Sequence, residues 1–341
     1  MTTPRVYVIH ENPEWFPPFA AAFEAEGVPV EELLLTDGGA VGSIDLSAEP
    51  APGVYWSRMS ASSHTRGNEH SKEYARALLG WLERAGATVV NGSHVLELEV
   101  SKVAQHGLLR DAGFDVPRTT AVFGTASLRD AARTFTGGED FPFITKHNQG
   151  GKGLGVRRFD TLAEFDAYVD SPEFEEPVDG ITLLQELLTA REPFITRAEF
   201  VGGEFVYAVR VDTSAGSFEL CPADACEVPQ VIAGAVCDVP GTEAPGAPAA
   251  FSVRDEVTAE HPLVQQLRTF LADQGIQIAG VEFMETTDGR TVVYDVNTNT
   301  NYNPAVEAVA PVSGPRAIAR LTGALLEQRY ATAAAGVATT A

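Results

Sequence analysis

Two carboxylates and an amide, Glu282, Asp295 and Asn297, stand out in this chain of 341 residues. They lie within residues 281–303, VEFMETTDGRTVVYDVNTNTNYN, where apolar runs flank an Asp288-Gly289 pair. An Asp-Gly pair between such runs is the strongest short-range hairpin signal, because a type I′ turn needs positive φ at both central residues. With that pair as a two-residue loop, Tyr294 is predicted to face Phe283 and Asp295 to fall opposite Glu282. Asn297 follows two residues on, on the same face. The other face would carry Val281, Phe283, Val292, Tyr294 and Val296 as core. Facing carboxylates repel. A hard divalent cation such as Mg²⁺ offsets that repulsion, since it takes one or two carboxylates, keeps some waters and bridges phosphate oxygens. A solvated polar face is the alternative. The alternate asparagines Asn297, Asn299, Asn301 and Asn303 have poor strand propensity and read as a loop lining a polar site.

A second group is basic and glycine-rich. Residues 141–156, FPFITKHNQGGKGLGV, hold Gly150, Gly151, Gly153 and Gly155 beside Lys146 and Lys152. This is no Walker A loop, because Lys146 and Gly153 stand where that motif needs a glycine and a Ser or Thr. A strand follows rather than a helix, which excludes a dinucleotide turn. Strand, glycine-rich loop, strand describes a lid whose N–H groups cradle phosphates, or a plain mobile turn. A third group follows Gly202-Gly203, another two-residue hairpin signal. Counting outward pairs Arg197 with Ala208 and Ile195 with Arg210. Both arginines then share a face with Glu199, suited to a polyanion or, equally, to solvent. Arg58, just after the strand GVYWS, stands where a substrate carboxylate can be gripped, or in a solvated loop.

The elements that position these groups alternate strand and helix over residues 1–100, a small parallel α/β unit. Ser101-Lys102 opens a helix through Asp111. Residues 213–260 read as irregular, with Pro, Gly and Ala crowding 239–250. Residues 262–274 read as a helix, as do 313–330, and 331–341 as a disordered tail. The length suits two or three domains. A net charge of −23 disfavours nucleic acid and anionic membrane as partners. No apolar run reaches a membrane span and the start shows no signal-peptide pattern, so a cytoplasmic location is expected. Cys221, Cys226 and Cys237 lack paired spacing and read as reduced thiols rather than a zinc site.

The order Lys102, Lys146 with its glycine-rich loop, Gln185-Glu186, Arg197, Arg210, then Glu282, Asp295 and Asn297 resembles the ATP-grasp family. It is nearest to the RimK-type amino-acid ligases and glutathione synthetase-like enzymes. The resemblance covers most of the chain and implies an α/β (α+β) ATP-grasp fold. A Rossmann-like pre-ATP-grasp domain would span 1–100, a central subdomain with the lid 101–180, and a C-terminal subdomain with the metal hairpin 181–330. By the resemblance, Lys102, Lys146, Gly150, Gly151 and Gly153 would contact ATP phosphates and the nucleotide pocket. Gln185, Glu186 and Leu188 would form the adenine hinge, and Glu192 is the ribose candidate. Glu282, Asp295 and Asn297 would hold one or two Mg²⁺, with Mn²⁺ as a substitute. Arg210, with Arg197, would stabilise the transferred phosphoryl group. Apart from the family's pattern, the asparagine run replaces the common small Pro-Gly ending, and Asn299 and Asn301, with Arg58 at its strand end, are the candidates to meet the second substrate. The family's usual Asp-Glu-Asn metal pattern is here Glu282, Asp295, Asn297, with both carboxylate lengths exchanged. The implied activity is carboxylate–amine ligation through an acyl phosphate, in a homo-oligomer. A nucleotide-binding protein without turnover, or a kinase or carboxylase on the same fold, are the alternatives.

Overall fold

The computed structural model describes residues 3–39, 43–151, 156–214 and 250–337. Short apolar strands alternate first with helices. β1 (Arg5–His10), α1 (Pro17–Ala25), β2 (Val30–Leu34), β3 (Gly53–Ser57), α2 (Ser71–Arg84) and β4 (Thr88–Val90) build a parallel sheet in the order β2-β1-β3-β4. A parallel sheet needs cover on both faces, which is why β3 reads as an unbroken buried run. Phe19 and Phe23 of α1 pack against Val8 and Trp56 on one face. Leu78, Leu79 and Leu82 of α2 pack against Tyr7, Ile9 and Tyr55 on the other.

Two helices, α3 (Ser93–Glu99), which the sequence reading did not assign, and α4 (Lys102–Asp111), which it did, lead into a second sheet. It consists of β5 (Thr119–Phe123), α5 (Leu128–Thr136), β6 (Phe143–His147), β7 (Arg157–Phe159), α6 (Leu162–Val169) and β8 (Ile181–Glu186), with strand order β5-β8-β6-β7. Phe135, Phe143, Phe159 and Phe165 fill the space beneath its helices. The glycine-rich loop connects β6 to β7, which pair antiparallel with Phe143 opposite Phe159.

The third sheet is antiparallel and carries the acids. β9 (Phe194–Val201), β10 (Glu204–Asp212), β11 (Phe251–Val253), α7 (Pro262–Asp273), β12 (Ile278–Glu285) and β13 (Thr291–Asn297) give the order β11-β10-β9-β12-β13. Helices α8 (Pro304–Glu307) and α9 (Gly314–Val337) follow. One sheet face packs on α7 through Ala198, Phe200, Val281 and Phe283. The other joins the N-terminal sheet through Ile318 and Ala319 of α9. No helix among the described residues is long and apolar enough to cross a membrane.

Several expectations need correction. The Asp288-Gly289 turn is not type I′, because Gly289 has φ +87° while Asp288 is not among the residues with positive φ. Thr286 and Arg290 bond across the turn, leaving a three-residue loop. That shifts the register by one, so Phe283 pairs with Val293. A bulge at Tyr294 then restores it, and Glu282 does face Asp295. Tyr294 and Val292 therefore leave the expected core face and Val293 enters it. In the β9–β10 hairpin a bulge at Val206 pairs Arg197 with Val209 and Thr196 with Arg210. Arg197 and Arg210 consequently lie on opposite faces. Strand β11 pairs with β10 inside the segment expected to be irregular, and α9 continues past Tyr330 to Val337 in the stretch expected to be a disordered tail. Residues 215–249, with Cys221, Cys226 and Cys237, lie outside the described residues, as do Lys152, Gly153 and Gly155.

Candidate active site

The site is built from two adjacent rows across the third sheet. Register places Arg197, Glu282 and Asp295 side by side on β9, β12 and β13. The next row, two residues along, holds Glu199, Gly280 and Asn297. Gly280 is required here: a Cβ would lie 2.7 Å from Cζ of Arg197, so its absence is the space that guanidinium fills.

Cations meet each acid. Lys102, the first residue of α4, forms a very close ion pair with Asp295. Lys146 Nζ lies 3.9 Å from the second Asp295 oxygen and 5.9 Å from the Tyr294 ring centroid. Arg197, 1% exposed, bonds Glu282 at 3.2 Å, Glu199 at 2.7 Å and Thr300 Oγ1 at 2.7 Å. Asn297 Nδ2 donates to Glu282 at 3.4 Å. These charges set the titration. Burial pushes the Asp295 carboxyl up, but Lys102 and Lys146 overcome it and hold its pKa at about 2. Burial and the neighbouring Asp295 charge raise Glu282, despite Arg197. Burial opposes the charge on Lys102, yet Asp295 and Glu99 outweigh it and its pKa is raised. For Lys146 burial prevails and the pKa is lowered.

Helix α4 is tied to β13 by Gln105. Its amide donates to Val296 O at 2.9 Å and to Leu98 O at 2.8 Å, and accepts from Val296 N at 3.1 Å. Asn148, at the root of the glycine-rich loop, accepts from Val103 N at 2.9 Å, so that root is anchored at the start of the same helix. Gly151 lies against Ser62, bringing that loop to the 60s loop of the N-terminal unit. Gly150 precedes it in the same loop root.

Gln185 sits buried on β8, paired between Thr119 and Ile144, with Leu188 just beyond the strand. The Glu186 side chain is held by both Arg290 amino groups at 3.1 and 3.3 Å. Glu192 is exposed in the turn before β9. Arg210 is not brought to the acids; its guanidinium stacks 4.5 Å from the Phe194 ring on the far face. Arg58 is buried, and its Nη2 donates to Asn301 Oδ1 at 2.5 Å. Burial lowers its pKa to about 10, so it stays charged at neutral pH.

The asparagine run divides by function. Asn303 caps α8 through Ala305 N and Val306 N. Asn301 meets Arg58, and Asn299, two residues earlier in the loop, is half-buried. The threonines, which the sequence reading passed over, turn to buried acids: Thr298 to Glu99 and Thr300 to Glu199. Glu99, Gln105 and Asn148 were also missed. For Gln105 a signal existed, since it follows Lys102 by one helical turn and so shares its face.

Among the described residues no group of three or more His, Cys, Asp or Glu is placed to hold a metal ion. The donors present are two facing carboxylates and an amide. They fit a hard cation that keeps waters and takes phosphate oxygens, as Mg²⁺ does, rather than one needing an all-protein cage.

No protein-family profile matches the sequence, and no curated protein matches it. Solved structures do. The VanG D-Ala:D-Ser ligase from Enterococcus faecalis aligns over 94% of this chain and 99% of its own, with TM-score 0.64 and 16% identity. The ATP-grasp ligase PsnB, in a complex with a minimal precursor, Mg and ADP, aligns over 96% and 99%, with TM-score 0.62 and 17% identity. D-cycloserine synthetase DcsG aligns over 94% and 99%, with TM-score 0.62 and 16% identity. The chain therefore has the ATP-grasp fold, a mixed α/β architecture with parallel and antiparallel sheets.

Proposed function

We propose that this protein is an ATP-dependent carboxylate–amine ligase that forms an amide bond between amino acids or small peptides and releases ADP and phosphate. The observation that carries the proposal is the row Arg197, Glu282, Asp295, with Lys102 and Lys146 converging on its end beside the root of the glycine-rich loop. Mg and ADP in the PsnB complex, and the ligase activities named for the other structural neighbours, support it.

In this reading Glu282, Asp295 and Asn297 hold Mg²⁺, which when bound neutralises nucleotide phosphate charge. Lys102 and Lys146 neutralise the phosphates from the other side, with Gly150, Gly151 and Gly153 closing over them. The backbone of Gln185, Glu186 and Leu188 takes the adenine. A carboxylate oxygen of the first substrate attacks the γ-phosphorus, and the bond to the β–γ bridging oxygen breaks with loss of ADP. The amine of the second substrate attacks the acyl carbon. Phosphate leaves, and the amine proton passes to solvent. Arg197 stands on the acid row, placed to stabilise charge on the transferred group. Catalysis here is positioning and charge stabilisation, with no protein nucleophile required.

The test is a screen of amino-acid pairs with MgATP, scored for phosphate release and for the amide by mass spectrometry. Phosphate release with an amide of the summed mass less water is expected. ATP turnover giving a phosphorylated or carboxylated product, or nucleotide binding without turnover for every pair, would replace the ligase reading.

A further inference from the structure

The N-terminal sheet has a topological switch point. The chain leaves β1 for β2 on one side and returns to β3 on the other, with α1 and α2 on opposite faces. Ligands of open parallel sheets gather beyond the carboxyl ends of the strands at such a point. Glu11 follows β1 there, and Arg58 follows β3.

Arg58 is 1% exposed and lies between aromatic walls, its Cζ 4.4 Å from the Phe19 centroid and 5.6 Å from that of Trp56. Its hydrogen-bond partners are neutral oxygens, Asn301 Oδ1 at 2.5 Å and Thr300 O at 3.5 Å. Nε and Nη1 of Arg58, and Nδ2 of Asn301, are buried without a partner. All three are donors, and no acceptor is left over among these two side chains. A buried cation with open donors and no bonded counter-ion is costly. Glu11 does not discharge it, because its oxygens are taken by Arg66 at 2.5 Å and Ser60 N at 3.3 Å. Asn301 and Thr300 belong to the loop that leaves β13, and Thr300 Oγ1 bonds Arg197 of the acid row. Whatever Arg58 holds therefore lies one loop residue from the reacting row, on the side away from the lysines.

We propose that Arg58, with Asn301, binds the carboxylate of the amine-bearing substrate, so that this substrate is an amino acid or a peptide with a free carboxyl end. The planar guanidinium fork matches a carboxylate in two parallel bonds. A phosphate dianion would need more than this single cation, with Glu11 nearby opposing it. The incoming carboxylate takes the Nε–Nη2 edge, displaces Asn301 Oδ1 from Nη2 and accepts from the freed Asn301 Nδ2. The assignment rests on the ligase reading for the substrate's role, but the binding itself does not.

The test uses the full chain without nucleotide. Thermal midpoints are compared for a panel of common L- and D-amino acids, each beside its carboxamide, at matched ionic strength, with inorganic phosphate as a further arm. Trp56 fluorescence serves as the local readout. At least one amino acid is expected to raise the midpoint by roughly 2–4 °C and change the Trp56 signal. Its carboxamide and inorganic phosphate should do neither. Arg58→Gln is expected to abolish the shift while matching or exceeding the wild-type midpoint without ligand, since it removes an uncompensated buried charge. Should Arg58→Gln not fold, the acid-against-amide comparison on the wild type decides. Equal shifts from acid and amide, an equal shift from phosphate, a shift retained in Arg58→Gln, or no carboxylate-dependent shift across the panel would each overturn the proposal. Because no ATP is present, failure of the amide-forming screen leaves this result standing, and the reverse holds.

Discussion

At the residue scale the site is a set of exchanged charges. Lys102 and Lys146 answer Asp295, while Arg197 answers Glu282 and Glu199. The arrangement depends on one missing side chain. A methyl at Gly280 would meet the Arg197 guanidinium at 2.6 Å from Nη2. Gly280→Ala should therefore push Arg197 off the acid row without touching either lysine. The expected outcome is a fall in kcat of about tenfold or more, with a stability loss of roughly 1–3 kcal/mol from overpacking. Steady-state phosphate release and urea unfolding measure the two effects. The residues themselves were largely visible in the sequence: Glu282 does face Asp295, and Arg197 does point to them. Arg210 was misplaced because a bulge at Val206, which the Gly202-Gly203 turn does not announce, turns the strand over.

At the element scale the acids depend on how α4 is held against β13. Gln105 acts as a side-chain strand, accepting from and donating to Val296 and thereby keeping Lys102 over Asp295. Gln105→Leu keeps the volume and removes the amide. It should cost about 1–3 kcal/mol for each backbone group left unpaired. Affinity for ATP should weaken as well, because Lys102 loses its register. Urea unfolding and nucleotide titration would show both. The hairpin explains why part of the fold was legible and part was not. Alternating apolar residues fixed which strands exist, and turn glycines fixed where they reverse. Bulges at Tyr294 and Val206 have no local sequence signature, so register between turn and strand end could not be counted reliably. The facing of Glu282 and Asp295 survived because a three-residue loop and a one-residue bulge compensate. Likewise α4 was readable from its opening Ser101-Lys102, while α3, only seven residues long, was not assigned.

At the scale of the whole molecule, the N-terminal and C-terminal sheets share one core, and polar bridges cross it. Asn91, with φ +52°, bonds Ile278 O at 2.8 Å and accepts from Gln277 N at 3.0 Å. Buried histidines make this assembly sensitive to acid. Burial, with the Arg58 charge, lowers His10 to about 3; burial, with Lys146 nearby, lowers His106 to about 4. The unfolded chain thus binds more protons than the folded one between about pH 6.5 and pH 4. Stability is full above that window and falls as pH drops through it. For His106 the loss is on the order of 3 kcal/mol. The buried acids Glu99, Glu199 and Glu282, whose pKa values are raised, act in the opposite sense. His106→Gln isolates the histidine part, because it keeps a donor for Tyr294 O. Its unfolding free energy should change less between pH 7.5 and pH 5 than the wild type's, as followed by urea denaturation. What composition could not convey at this scale is the joining of distant segments. Nothing local links Glu99 to Thr298 or Arg58 to Asn301, and only the docked sheets bring them together.

The claim on which the rest depends is that Glu282 and Asp295 hold a divalent cation for a nucleotide. It is tested most directly by calorimetric titration of ADP into the full chain with Mg²⁺ or with EDTA, for the wild type and for Glu282→Gln. That variant leaves the Lys102–Asp295 pair in place. Mg²⁺ is expected to tighten ADP binding to the wild type about tenfold or more, roughly 1.4 kcal/mol, and to lose most of that increment in the variant while metal-free affinity persists. The same Mg²⁺ increment in both proteins would contradict it.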